Sequence, residues 1–215
     1  MSRVLVLRPE PGARATVERA RRRGLDAVAI PLFEIEPVPS KAPDIAGFDG
    51  LLLTSANAVR FTSQELRGLP VYAVGEATAE AAREAGFDIA ATGDAGVEKL
   101  LDSIECDVKL VHLCGEDRRN VANARQKITP VVVYRAIPLD APKLPPSDVA
   151  LIHSPRAGRR FAELVADRSA VAIAAISAAA AEAVGSGWKA IEIAGTPTDE
   201  ALLALAERLC NNLPR

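Results

Sequence analysis

The sequence predicts an α/β protein made of two similar parallel-sheet domains. Short apolar runs alternate with longer Ala-, Arg- and Glu-rich stretches, the pattern of repeated βα units. Several of those runs are apolar throughout rather than alternating, as expected of strands covered by helices on both faces. The chain also repeats itself: LLLTSANAVRF from Leu51 resembles LIHSPRAGRRF from Leu151, and AVGEATAEA from Ala73 matches AISAAAAEA from Ala175.

Taken in order, the expected strands cover 4–7, 26–30, 50–53, 71–74, 88–91, 109–113, 130–134, 149–153, 170–176 and 190–194. The expected helices cover about 12–24, 56–66, 77–86, 96–104, 118–127, 156–166, 178–185 and 198–211. Such units force right-handed crossovers. The N-terminal stretch through Phe33 runs parallel to the stretch from Leu110 to Pro138, so the units follow the order short, long, short, long. One long and one short unit make a five-stranded sheet.

The 215 residues fit one large domain or two small ones. Seven of the fifteen prolines fall in PVPSKAP (37–43) and PLDAPKLPP (138–146), and proline-rich segments act as stiff spacers. These place the linkers at 36–43 and 136–146. One domain is then discontinuous, 1–35 with 147–215, and the other, 44–135, is inserted in it. Two linkers side by side make a hinge, and ligands of parallel sheets bind beyond the strand C-termini. The site is therefore expected in a cleft shared by the two domains.

Composition removes several function classes. Hydrophobic residues make up 49% and charged residues 25%, ordinary for a globular core. A net charge of −2 and pI near 5.8 give no sign of a nucleic-acid or membrane binder. No apolar run approaches a membrane span, and VLVL after Arg3 is too short for a signal peptide, so the expectation is a cytoplasmic protein. Cys106, Cys114 and Cys210 are odd in number and scattered, which fits reduced thiols. With His112 and His153 each ending an apolar run, no metal site is expected.

The loops after the strands carry the candidate site. Thr54, Ser55 and Asn57 follow GLLL and precede a helix, where hydroxyls cap and backbone N–H groups bind anions. Ser154 and Arg156 occupy the same place in the second copy, with Pro155 in the first turn. Capping alone and carboxylate binding are both open readings. Gly75, with Thr78 one turn on, permits a ligand close to backbone amides. No GxGxxG and no Walker lysine accompany it, which disfavours nucleotides. Gly115 turns the chain into Glu116-Asp117-Arg118-Arg119, either a solvated face or a cation pair for carboxylates. Arg8 lies directly beyond a buried strand, where it must face the cleft or solvent; Arg60 and Arg156 are weaker candidates. Tyr134, one of two tyrosines, ends PVVVY beside the linker and is either a proton donor or an edge-packed ring. No Ser/His/Asp set, carboxylate pair or base-flanked cysteine is present.

Together, LRPE, IPLFEIEP, FDGLLLTSANAVRF, VYAVGEATAEAAREAGFD, the 115–119 loop, VVVYRAIP, IHSPRAGRRF and AGTPTDEALLAL resemble uroporphyrinogen-III synthase over nearly the whole chain. That resemblance implies two flavodoxin-like domains joined by a two-stranded linker, with no cofactor. It implies a monomer whose substrate is hydroxymethylbilane, a linear octacarboxylate cyclised with loss of water and inversion of the terminal ring. By the same resemblance Tyr134 matches a tyrosine that assists hydroxyl departure, and Thr54, Ser55, Gly75, Thr78 and Ser154 match cleft-lining positions. Where the family usually has Ile-Gly-Pro-Thr-Thr, this chain has Ile176-Ser177-Ala178-Ala179-Ala180, leaving Ser177 as the hydroxyl there. The alternatives are a non-catalytic hinged protein that binds a polycarboxylate or tetrapyrrole, and a nucleotide-dependent enzyme.

Overall fold

A computed structural model describes residues 2–40, 43–94, 96–118, 121, 124–140 and 142–212 of the chain. The chain opens with β1 (Arg3–Val6), α1 (Gly12–Arg22), β2 (Asp26–Ala29), β3 (Phe33–Pro37) and β4 (Gly50–Leu53). It continues through α2 (Ala56–Val59), β5 (Val71–Val74), α3 (Glu76–Glu84), β6 (Ile89–Gly93), α4 (Val97–Asp102), β7 (Lys109–Gly115) and β8 (Lys127–Pro138). It ends with β9 (Val149–Ile152), α5 (Pro155–Leu164), β10 (Ala172–Ala175), α6 (Ala178–Ala183), β11 (Ala190–Ile193) and α7 (Asp199–Asn212). Two compact units result: Met1–Glu34 with Ile137–Arg215, and Ile35–Ala136.

The first unit holds a five-stranded sheet in the order β11-β10-β9-β1-β2, parallel throughout. β1 is central, pairing Val4 with Val149 on one side and with Ala27 on the other. β9 and β10 are buried at every residue, which is why their sequences lack alternation. On one face Val4, Val6, Leu151 and Ala174 share a core with Val17 and Ala20 of α1 and Leu202, Leu205, Ala206 and Leu209 of α7. In α1 the buried positions Ala13, Val17 and Ala20 recur at helical spacing, and Arg19, Arg21 and Arg22 suit the negative end of the helix dipole. Phe161 of α5 stacks on Trp188, their centroids 5.2 Å apart.

The second unit holds a six-stranded sheet ordered β3-β8-β7-β4-β5-β6. Its pairs β4–β5, β4–β7, β5–β6 and β7–β8 are parallel. Leu51, Leu53, Val111 and Leu113 pack on one side with Ala79, Ala82 and Phe87, and Leu52 and Leu110 pack on the other with Leu100 and Leu101. Read from β6 inward, β6-β5-β4-β7-β8 matches β11-β10-β9-β1-β2 strand for strand in space, with the two-strand piece coming first in the chain in one unit and last in the other, so the sequence repeat is a permuted repeat of topology.

Four expectations need correction. β3 is a strand that the prolines concealed; its place at the sheet edge lets Pro37 go without a ladder donor. β8 starts at Lys127 and runs on to Pro138, so Tyr134 lies within the strand rather than at its end. The helix expected over 56–66 stops at Val59, because Thr62 turns its hydroxyl onto the Ala58 carbonyl and Ser63 starts a separate 3-10 helix, Gln64–Gly68. The helix expected over 118–127 falls partly outside the described residues, Arg119 included, and those described there are not helical. Gln126 instead sends its buried amide to the carbonyls of Leu101 and Ile104, both at 2.9 Å, at the end of α4.

Candidate active site

In the second unit the C-terminal ends of β4 and β7 and residue 134 of β8 meet at one cavity of about 370 Å³. Thr54, Ser55, His112, Cys114, Gly115, Asp117, Arg118 and Tyr134 are among its lining residues. Parallel neighbours stop in near register, Leu53 beside Leu113, so the side chains that follow them are delivered together.

Tyr134 is placed by three neighbours. Gly115 sits beside it across the β7–β8 ladder, and a Cβ there would come within 2.7 Å of the tyrosine Cζ. The absence of a side chain at 115 is what makes room for the phenol. Phe61 stacks on the ring at 6.4 Å between centroids, and the hydroxyl of Ser55 is hydrogen-bonded to the phenol. Ser55 also caps α2 by accepting from the Asn57 N–H at 3.2 Å, which fixes its side chain. Burial pushes the phenol's pKa up, and the Ser55 hydrogen bond only partly opposes this. Tyr134 is thus a protonated donor at neutral pH.

His112 lies inside β7, 2% exposed, with Nε2 3.0 Å from the Thr54 hydroxyl. Burial, helped by the nearby Arg118 charge, pulls its pKa from 6.5 down to about 4, so the ring is neutral and orients the Thr54 hydroxyl. Cys114, two residues on, is 2% exposed and reaches the Val131 carbonyl at 3.5 Å. Burial raises its pKa despite Arg118, which keeps the thiol protonated and poorly nucleophilic.

The other candidates fall elsewhere. Asn57, Gly75 and Thr78 do not line this cavity. Gly75 has a left-handed φ of 83°, and its N–H is taken by the Gly93 carbonyl at 2.7 Å; Thr78 is 5% exposed on the inner face of α3. In the first unit Ser154 caps α5 through the Ala157 N–H at 3.2 Å, and Ser177 caps α6 through the Ala180 N–H at 3.3 Å. Arg156 lies over the Phe33 ring at 4.6 Å. Arg8 enters an ionic cluster on Asp199, which also takes Thr16, Arg19 and His153. His112, Cys114 and Asp199 are additions that no local pattern announces: His112 pairs with Thr54, Cys114 with Val131 across the β7–β8 ladder, and Asp199 with residues 8, 16, 19 and 153. The one sequence signal for His112 is its place at the end of an apolar run; that its strand ends beside the Thr54-Ser55 loop comes from the β4–β7 pairing. Among the described residues no three His, Cys, Asp or Glu side chains are grouped to hold a metal, and no helix is long and apolar enough to cross a membrane.

The family model described as uroporphyrinogen-III synthase HemD matches residues 14–204. Comparison with curated proteins gives no match. The crystal structure of a uroporphyrinogen-III synthetase from Helicobacter pylori is similar at 19% identity and a TM-score of 0.68, covering 97% of this chain and 99% of that one. A mutant uroporphyrinogen III synthase from Thermus thermophilus is similar at 20% identity and a TM-score of 0.56, covering 99% and 100%. At these identities the two structures establish a shared fold.

Proposed function

Because this chain belongs to the uroporphyrinogen-III synthase family, we propose that it closes linear hydroxymethylbilane into uroporphyrinogen III. The family match over residues 14–204 is the observation that carries this reading. In that reaction the terminal hydroxyl leaves as water and an azafulvene forms. The far pyrrole attacks through its substituted carbon to give a spiro intermediate, and the ring closes with that pyrrole inverted. The departing oxygen takes up one proton while the pyrrole N–H gives one up, so no net acid is consumed.

Tyr134 is the donor in this reading. Its phenol lines the cavity, is held by Ser55 and Phe61, and stays protonated, which suits it to hydrogen-bond the leaving hydroxyl and pass it a proton. Thr54, held by neutral His112, and Arg118 offer a hydroxyl donor and a cation to substrate carboxylates at the same cavity. Arg8 offers a second cation in the first unit. Holding the reacting ends in one geometry favours the inverting closure over the simple one. The enzyme is then a cyclising hydro-lyase, acting as a cytoplasmic monomer.

The test is the isomer formed. Purified protein supplied with enzymatically made hydroxymethylbilane is expected to give mainly the type III porphyrin after oxidation, read by chromatography. Type I alone, the product of closure without inversion, overturns the reading.

A further inference from the structure

Asp199 is the first residue of α7, yet it does not cap that helix. Thr198 does so, accepting from the Ala201 N–H through its hydroxyl at 3.2 Å. The Asp199 carboxylate instead gathers side chains from three other parts of the first unit. Thr16 and His153 both reach Oδ1, at 2.8 and 2.9 Å, and Arg8 Nη1 lies 3.5 Å from the same oxygen. Arg19 reaches Oδ2 through Nε at 2.9 Å and Nη2 at 2.8 Å. Thr16 is fully buried and the His153 side chain is 7% exposed. Burial alone would raise the pKa of Asp199; the hydrogen bonds of His153 and Thr16 and the charge of Arg19 hold it far below the usual carboxylate range. Burial keeps His153 neutral.

The cluster therefore sets two guanidiniums against one carboxylate, leaving a surplus positive charge. Arg8 is the member set for a ligand. It follows β1 at the C-terminal edge of the sheet and its side chain is 31% exposed. Among the described residues Asp199 is its one ionic partner, so most guanidinium donors remain for a ligand. Gly12 provides its bed: a Cβ there would stand 2.6 Å from Arg8 Nε. A cation held by one partner and backed by bare backbone is pre-organised to receive a carboxylate edge-on.

We propose that Asp199 is a positioning residue that aims Arg8, and that the two form a carboxylate subsite in the first unit. For the identity of the ligand this rests on the cyclase reading, whose substrate is a polycarboxylate; the geometry of the subsite does not.

The sign of one substitution separates aiming from plain electrostatics. Removing a negative charge beside Arg8 should tighten anion binding if Asp199 acts only through its charge. If Asp199 aims Arg8, binding weakens. Uroporphyrin III, an octacarboxylate, serves as the probe in calorimetric titrations of the full chain at fixed ionic strength. Asp199→Asn and Arg8→Gln are each expected to weaken binding about tenfold, the scale of one charged hydrogen bond. The double variant should bind no worse than either single one, because both remove the same contact. With hydroxymethylbilane, Asp199→Asn should raise KM by a larger factor than it lowers kcat. Should Asp199→Asn fail to fold, Asp199→Glu keeps the charge while displacing it, and is expected to weaken binding as well. Unchanged or tighter binding in the folded Asp199 variant, or losses that multiply in the double variant, would overturn the subsite. A wild-type protein that binds the probe in this manner but forms no type III isomer would sink the cyclase reading alone.

Discussion

Tyr134 combines a buried phenol with a hydrogen-bonding serine and a glycine that makes space for it. If the phenol donates to the leaving hydroxyl, Tyr134→Phe keeps the ring stacked on Phe61 and lowers turnover by roughly one to two orders of magnitude. Steady-state rates checked against an unchanged melting temperature decide this, and wild-type turnover would leave the residue a packing role. Gly115→Ala is expected to lower kcat as well, since its Cβ would meet Cζ at 2.7 Å and push the hydroxyl away from Ser55. A folded Gly115→Ala protein with wild-type kcat would show that the phenol's place is not set by that glycine. At this scale Tyr134 was visible in the sequence because tyrosines are scarce and this one follows an apolar run. The sequence shows His112 only as the end of an apolar run, since its role depends on Thr54, which follows the neighbouring strand β4. Asp199 was hidden for the same reason: its partners sit at residues 8, 16, 19 and 153.

The strands that could be read from sequence are those with a simple burial rule. β4, β9 and β10 are buried at every position, and runs of Leu, Ile, Val and Ala announce that directly. β3 obeys no such rule, because FEIEP mixes two acids and a proline on an edge strand. Among the helices, α5 and α6 show how a small residue sets a crossing. A Cβ on Gly158 would lie 2.9 Å from Val184 Cγ1 and 3.1 Å from the Ala180 carbonyl oxygen, and the backbone oxygen cannot swing aside. Gly158→Ala adds helix propensity but overpacks this contact, and a net loss of about 1–3 kcal/mol is expected. Denaturant unfolding measures it; a stabilised variant would mean that α6 yields without cost.

Across the whole molecule, the α/β class and the duplicated order of strands were legible, because burial on both faces and internal similarity are properties of the chain itself. The buried charges were not, yet they set how the protein responds to acid. Burial lowers the pKa of both histidines, His112 from 6.5 to about 4 and His153 in the same direction. Between those two values the unfolded chain binds protons that the folded chain refuses, so stability falls as the pH drops from about 6.5 towards 4. For His112 the full effect is on the order of 3 kcal/mol. Asp199, whose folded pKa is depressed, adds a loss only below the ordinary carboxylate range. Denaturation midpoints measured from pH 7 to 4.5 should therefore decline, and His112→Gln should decline less steeply. Equal slopes would assign the acid sensitivity elsewhere.

Strand β1 sits in the middle of its sheet, flanked by β2, which follows it closely in the chain, and by β9, which begins only at Val149. On the ribosome, then, β1 emerges long before the partner that completes its ladder. All of Ile35–Ala136, a compact unit made of one continuous segment, is synthesised in that interval. The N-terminal strand pair meanwhile waits with its apolar edge open, so this half of the nascent chain is where chaperone protection during synthesis matters most.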